Sequence, residues 1–595
     1  MSALPDDAKD CGLFLDEMSI DEAKELCPNN KKWYGCPTLP PSEALATKGL
    51  VFMLGGVSHR WKQTVAFEFT GNSIPEGCLK PIVMDIIVKA EERGLRVHFV
   101  TSDCGSANKT MWKEFGVHAV KTTLRDNLSI EHPCDPDRRL EFIADPVHVF
   151  KNSVHGWISN KIIILPDWYV QKRRLTSNIV DRDHLRALVE DDEARDESSK
   201  LVCRLSQADV DFQNKPLSNV DKMKVSNATK YCNYSVAAAL CVVAEKTNRM
   251  CLKTTAAYIT DLARWYEIMN SRDDSEALKP AENNYQASID HINFFAKLMS
   301  DIKVGEKGHW KPWQTAAVMS SNAILRLQNY FFESLEYTVL YTSRFVQDCL
   351  ENLFSVIRYK QKRPTALQMK QHLRSITLSQ FMHVPNNSSY DIDEREYLLS
   401  LEDLIRKRPR PVEADGPTLP KRVRVDSMSE AQVNGEQSSS SRQTLSSASQ
   451  IMRSADRAKL NVLFHRCTKL VTKLAKNKEI CDDCLQKCKT STPFNPDIAR
   501  YTTLMMKKSE DSPIFPTQKL FMYFIQLDEN FTQIRSESTE PVTYRASLLK
   551  LSPNFTDHCP ALKRSATMLV VQQRLEAERI WKTRKTRHDS RSMVA

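Results

Sequence analysis

Residues 81–103, PIVMDIIVKAEERGLRVHFVTSD, change period without an intervening loop. Ile82, Val83, Ile86, Ile87 and Ala90 recur at helical spacing, with Pro81 at the start and Gly94 as a stop. Leu95, Val97 and Phe99 then alternate as in a half-buried strand, and the run ends on Thr101-Ser102-Asp103. A helix feeding directly into an apolar strand has to pack on the sheet that the strand joins, so an α/β fold follows. The carboxylate at the strand's tip either caps the next helix or does chemistry.

The flanking pattern agrees. GLFLDEM (12–18), GLVFMLGGV (49–57) and TVAFEFTG (64–71) read as strands, a helix is expected near 107–115, and LEFIADPVHVFKN (140–152) reads as strand running into helix. Residues 1–160 therefore predict a mixed sheet covered by helices. From 161 to 340 strand signals fade, and segments such as SVAAALCVVAEKT and TAAYITDLARWYEIMNS predict a helical insertion. TSRFVQDCLENLFSVIRYKQ (342–361), within a closing segment 341–372, reads as one amphipathic helix with Val346, Leu350, Leu353 and Ile357 as its apolar stripe. Residues 373–455 are basic, then Ser-rich, and predict a disordered linker. Residues 456–595 predict a mainly helical, basic C-terminal region.

Composition narrows the function. A length of 595 residues suits three or four domains. Lys plus Arg number 84 against 74 for Asp plus Glu, so the net charge of +10 informs only through its placement. Neither GxGxxG nor GxxxxGK[ST] occurs, which argues against Rossmann and P-loop nucleotide sites. No apolar run reaches the length of about 18 residues that a membrane span needs, and MSALPDDAKDCG lacks the basic start of a secretory signal. The 16 cysteines lie mostly inside apolar segments, which predicts reduced thiols in a cytosolic or nuclear protein.

Several carboxylates fall where the pattern could gather them. Asp16 is expected at the end of the first strand, Asp103 at the end of the fourth and Asp145 at the end of the fifth, with Glu351 on the later helix. Asp348, Glu351 and Ser355 would share one polar stripe of that helix. Hard divalent metals prefer such oxygen donors, and phosphoryl transfer between DNA strands uses two of them about 3.5–4 Å apart. Taken singly, each strand-end Asp reads more readily as a helix N-cap than as a metal ligand.

Six motifs in order, LFLDEMSI, KKWYGCPTL, ALATKGLVFMLGGVSHRWKQTVAFEF, VTSDCGSANKTMWKEFGV, IADPVHVFKN and YTSRFVQDCLENLFSVIR, resemble the catalytic region of P-element-type, THAP-domain-family DNA transposases over about residues 11–370. The resemblance implies an RNase H-like core interrupted by a helical GTP-binding insertion. It also implies a catalytic, metal-binding DDE triad of Asp16, Asp103 and Glu351 with two Mg²⁺ ions. Asp145 lies in a shared motif but outside the triad, as a structural residue or a helper. By the same resemblance Asp348 would contact guanine, with Lys224, Val225, Glu267 and Asn270 near the nucleotide. A carboxylate suits guanine because it accepts two adjacent N–H donors. The implied activity is cut-and-paste DNA strand cleavage and transfer on transposon ends and target DNA, by a homo-oligomer. The alternative is a catalytically silent, transposase-derived nuclear factor that binds DNA or protein. The THAP and coiled-coil modules with which such proteins usually begin have no counterpart in this sequence.

Two clusters, RKRPRP (406–411) and PKRVRV (420–425), read as signals for a nuclear import receptor, which predicts a nuclear protein. The final basic stretch, Arg574 to Arg591, would touch phosphates or stay solvated. HRCTKLVTKLAKNKEICDDCLQKC (465–488) offers His465, Cys467, Cys481, Cys484 and Cys488, of which Cys481 and Cys484 have zinc-ligand spacing. Reduced structural cysteines are the competing reading.

Overall fold

A computed structural model describes residues 5–592 apart from 119–120, 122–127, 196–199, 203, 215, 219–220, 223, 380–456, 507–513, 538–540, 553 and 557–558. The import clusters and most of the expected linker lie outside the described residues. The chain divides into two compact units, Met1–Leu401 with Leu504–Glu510, and Glu402–Thr503 with Asp511–Ala595.

The first unit is built on a six-stranded mixed sheet of β1 (Asp10–Ser19), β2 (Lys48–Gly56), β3 (Lys62–Thr70), β4 (Arg96–Ser102), β5 (Ile130–His132) and β6 (Asp135–Ala144), in the order β3-β2-β1-β4-β6-β5. β1 runs antiparallel to β2, with Asp16 opposite Val51, and parallel to β4, with Leu13 opposite Val100. β4 and β6 are parallel, with Thr101 opposite Ile143. β1, β4 and β6 therefore end on the same side of the sheet. β1 sits at the centre, where Leu13, Phe14 and Leu15 are buried. Gly12 leaves room for the Phe99 ring, which would come within 2.1 Å of any Cβ placed there.

The expected α1 (Leu79–Glu92) stops where the sequence predicts, with Arg93 as C-cap and Gly94 following at φ +82°. α2 (Ser106–Glu114) and α3 (Pro146–Asn160) follow β4 and β6. Asp16 differs from expectation: β1 continues three residues beyond it, to Ser19. β5 was not legible either, since three residues paired to β6 carry too short an alternation to read.

Residues 161–340 lie in the same compact unit. They are mainly helical, as expected, with α4 (Asp167–Arg173), α5 (Asp183–Glu193), α6 (Val225–Tyr231), α7 (Tyr234–Thr247), α8 (Leu252–Ile268), α9 (Asn284–Asp301) and α10 (Pro312–Asn329). A small sheet of β7 (Ile162–Ile164), β8 (Ile179–Asp181) and β9 (Lys303–Val304), ordered β8-β7-β9, also lies in this stretch, where strand signals fade in the sequence. α10 packs back on the main sheet: Ser320 Oγ donates to the Ala144 carbonyl at 2.6 Å, and Arg326 forms a bidentate pair with buried Glu141 at 2.8 and 2.7 Å.

The single helix predicted over 342–361 is two pieces. A 3₁₀ turn covers Thr342–Phe345, Val346 is extended, and α11 (Asp348–Lys360) begins only afterwards. Polar anchors decide this. The Thr101 hydroxyl donates to the Phe345 carbonyl at 2.9 Å, the Gln347 N–H to Asp145 Oδ1 at 3.0 Å and Gln347 Nε2 to the Leu15 carbonyl at 2.6 Å. Residues 345–347 are thus stitched to β1, to β4 and to the cap of α3. Val346 still reaches the core, at 2 % exposure. α12 (Ala366–Ser379) runs into the segment expected to be linker.

The second unit is helical, as predicted: α13 (Arg457–Leu474), α14 (Asp482–Gln486), α15 (Gln518–Glu537), α16 (Pro541–Leu551) and α17 (Pro560–Ser592), with a two-stranded ladder of Lys489–Thr490 and Phe515–Pro516. No helix among the described residues is long and apolar enough to cross a membrane.

Candidate active site

At the end where β1, β4 and β6 terminate, four acidic side chains from different elements come together electrostatically. Burial first, then the charges of Glu351 and Asp103, push the Asp16 carboxyl well above the usual carboxylate range, while His148 and the Glu17 N–H pull the other way. Asp16 is half-buried and Oδ1 accepts the Glu17 N–H at 2.8 Å. Asp103 follows β4 directly. Its Oδ1 accepts the Gly105 N–H at 2.8 Å and Asn108 Nδ2 at 2.6 Å, an Asx-type turn leading into α2. Glu351 lies in the first turn of α11 and is 8 % exposed, so the expected polar stripe faces inward rather than solvent. The carboxylate oxygens of Asp16, Asp103 and Glu351 do not all lie within 4.8 Å of one another.

Asp145 is an N-cap. Oδ2 accepts the His148 N–H at 2.9 Å and pairs with His148 Nδ1 at 2.7 Å, while Oδ1 accepts the Gln347 N–H. Burial opposes its charge, but His148 and these N–H groups hold it below the usual range. Burial pulls the His148 imidazole down, but Asp145, helped by Glu351, outweighs it and holds it above the usual histidine range.

Sequence reasoning missed Lys151. It is 6 % exposed on α3, and burial pulls its ammonium down while Glu351, Asp145, Asp16 and Asp103, in that order, hold the charge on. The signal was available: Asp145, His148 and Lys151 recur every three residues and share one face of α3. Gln347 was missed too, because it reads as one more polar residue of a helix.

The expected nucleotide residues are only partly united. Asp348 (4 % exposed) pairs with Arg272, whose guanidinium also donates to Asn270 Oδ1 at 3.3 Å. Asn270 in turn donates to the Tyr266 hydroxyl at 3.3 Å, and Tyr266 stacks on Phe150 at 4.1 Å. Val225 packs with Val147 and Val346 beside Tyr266. Glu267 accepts the Tyr234 hydroxyl at 2.7 Å. Lys224 is exposed just ahead of α6. In the second unit, Cys481 and Cys484 are joined by Cys559, which no local spacing could suggest.

A mixed sheet whose parallel strands deliver carboxylates to one edge, closed by an acidic helix from far along the chain, is consistent with the RNase H-like class. The comparisons agree. The family described as TNP-like, RNase H N-terminal domain, matches residues 1–116. The Transposable element P transposase of Drosophila melanogaster is 23 % identical over 389 residues, 62 % of this chain and 45 % of that protein. The chain thus spans less than half the length of this curated relative. The solved Drosophila P element transposase strand transfer complex matches 63 % of this chain and 78 % of the solved one, at 20 % identity and a TM-score of 0.53. The chain is similar to P-element-type transposases, as its six motifs predict.

Proposed function

We propose that this chain performs metal-dependent DNA strand cleavage and strand transfer as a DDE-type transposase core, with Asp16, Asp103 and Glu351 holding two Mg²⁺ ions. The observation that carries the reading is that Asp16, Asp103 and Glu351, from three separate elements, meet where the Glu351 and Asp103 charges both oppose ionisation of Asp16. Such a donor set fits a hard divalent cation, because a cation among oxygen ligands from separate rigid elements relieves their repulsion. When bound, the ions supply activation of the attacking oxygen and stabilisation of the leaving one. The chain's own part is positioning. Gln347 and Asp145 fix the entry of α11 and so aim Glu351, and the Gly105 N–H and Asn108 fix Asp103. Lys151 offsets the acidic charge from the α3 side. That the solved relative is a strand transfer complex supports DNA as the substrate.

Transposon ends and target DNA, a homo-oligomeric assembly and nuclear import through 406–411 and 420–425 belong to the same reading. GTP would bind at Asp348, where guanine has to share or displace Arg272, with Asn270, Glu267, Val225 and Lys224 around it. The deciding experiment supplies a 3′-hydroxyl oligonucleotide and supercoiled plasmid to the purified chain in Mg²⁺ or Mn²⁺, with and without GTP. Joining or nicking that disappears in Asp103→Ala and Glu351→Ala supports the site. Activity that persists in both variants overturns the triad, and inactivity with intact DNA binding favours the silent factor.

A further inference from the structure

The second unit carries a cluster that the proposed reaction does not use. Cys481 immediately precedes α14 and is exposed, Cys484 is buried in its first turn, and buried Cys559 immediately precedes α17. Their three Sγ atoms all lie within 4.8 Å of one another, and they form the one group of three or more metal-ligating side chains at such spacing among the described residues. Cys484 Sγ also lies 3.2 Å from Thr556 Oγ1, three residues before Cys559 in the sequence.

We propose that Cys481, Cys484 and Cys559 bind a structural Zn²⁺ ion. A free cysteine that only packs is usually buried as a small hydrophobe, whereas Cys481 is exposed and its sulfur still meets two others. They cannot all be consumed by disulfides among themselves, because a disulfide takes two. Tetrahedral thiolate coordination, with Zn–S near 2.3 Å, uses all three at once. Cys488 is fully buried but lies past the end of α14 and outside the group. His465 and Cys467, offered by the same stretch of sequence, are not in the group: His465 packs edge-on against Tyr501, with ring centroids 5.0 Å apart. The ion would pin the start of α17 to α14, two segments far apart in the chain that share only a small helical unit. Binding energy of such a site becomes folding energy of that unit.

The test uses the full chain purified under reducing conditions, with metal content measured by mass spectrometry and Co²⁺ titrated into the metal-free protein. About one zinc per chain and intense thiolate-to-cobalt absorption are expected. Cys481→Ser, at an exposed position, and Cys559→Ser should each lower zinc affinity at least ~10-fold, whereas Cys134→Ser in the first unit should leave it unchanged. Zinc content equal in wild type, Cys481→Ser and Cys559→Ser would overturn the site, as would a reduced chain that takes up neither ion. The readout is metal binding, so it stands or falls apart from strand-transfer activity.

Discussion

β1 carries two aspartates, Asp10 at its start and Asp16 three residues before its end, and treats them in opposite ways. At the start, Asp10 is 1 % exposed and answered in full: Arg96 Nε and Nη2 donate at 2.7 and 2.9 Å, His98 Nε2 lies at 2.7 Å, and the Tyr337 hydroxyl donates at 2.9 Å. Burial pushes this carboxyl up, yet Arg96 and His98 outweigh it and hold it at about 2. Six residues later Asp16 faces Glu351 and Asp103, and every large influence disfavours its charge. One strand thus begins in a neutralised network that secures the fold and, near its far end, meets an acidic cluster that folding alone does not reward. Unbalanced charge of this sort marks functional sites more often than structural ones.

The contrast can be broken most forcefully at the acidic end. Asp16→Asn and Glu351→Gln should cut metal-dependent strand joining by more than ~100-fold, because even outer-shell changes cost about 10–100-fold. Neither should destabilise the metal-free chain, since each removes repulsion. A melting temperature that falls in both would show that these carboxylates serve the fold instead. At the other end, Arg96→Met should cost about 3–5 kcal/mol by leaving Asp10 buried with His98 as its main counter-group, and activity per folded molecule should be retained. Urea unfolding, followed alongside strand joining, separates the two outcomes.

Acid sharpens the same contrast. Asp10 has a depressed folded value, so its contribution is present above about 4 and is lost as pH falls towards 2, about 2 kcal/mol in all. His98 is lowered chiefly by burial, although Asp10 opposes the shift. The unfolded chain therefore binds its proton first, and stability begins to fall below about pH 6.5. Asp10→Asn should lower stability at neutral pH and flatten the profile between pH 4 and 2. A variant as acid-sensitive as wild type in that window would remove Asp10 from the account.

How much of this was legible depends on range. β1 to β4, α1 and α2 lie close to where periodicity places them, because each buries one face and its sequence shows the repeat. The carboxylates were found as residues, but their meeting was inferred from resemblance, since no local pattern joins Asp16 to Glu351. The break at Val346 and Gln347 was illegible because an apolar stripe continues through it, while the partners that halt the helix sit on β1, β4 and α3. Cys559 was hidden for the same reason: its partners Cys481 and Cys484 lie far back in the chain.

Asp145 falls between the two kinds of aspartate and decides how sharp the division is. It stands among the acidic cluster but is paired like Asp10, holding the α3 N-terminus, His148 and the Gln347 N–H together. Asn at this position keeps a single carbonyl oxygen where the carboxylate used two, so either the cap or the Gln347 anchor weakens. Asp145→Asn should cost about 1–2 kcal/mol, as losing a helix cap or a buried hydrogen bond does. If Asp145 acts only by aiming Glu351, activity should fall less than in the Asp16 and Glu351 variants, and saturating Mg²⁺ should leave the loss in place, because the defect is position and not charge. Recovery of full activity at high Mg²⁺ would instead make Asp145 a fourth metal carboxylate and extend the unbalanced end of the sheet to include it.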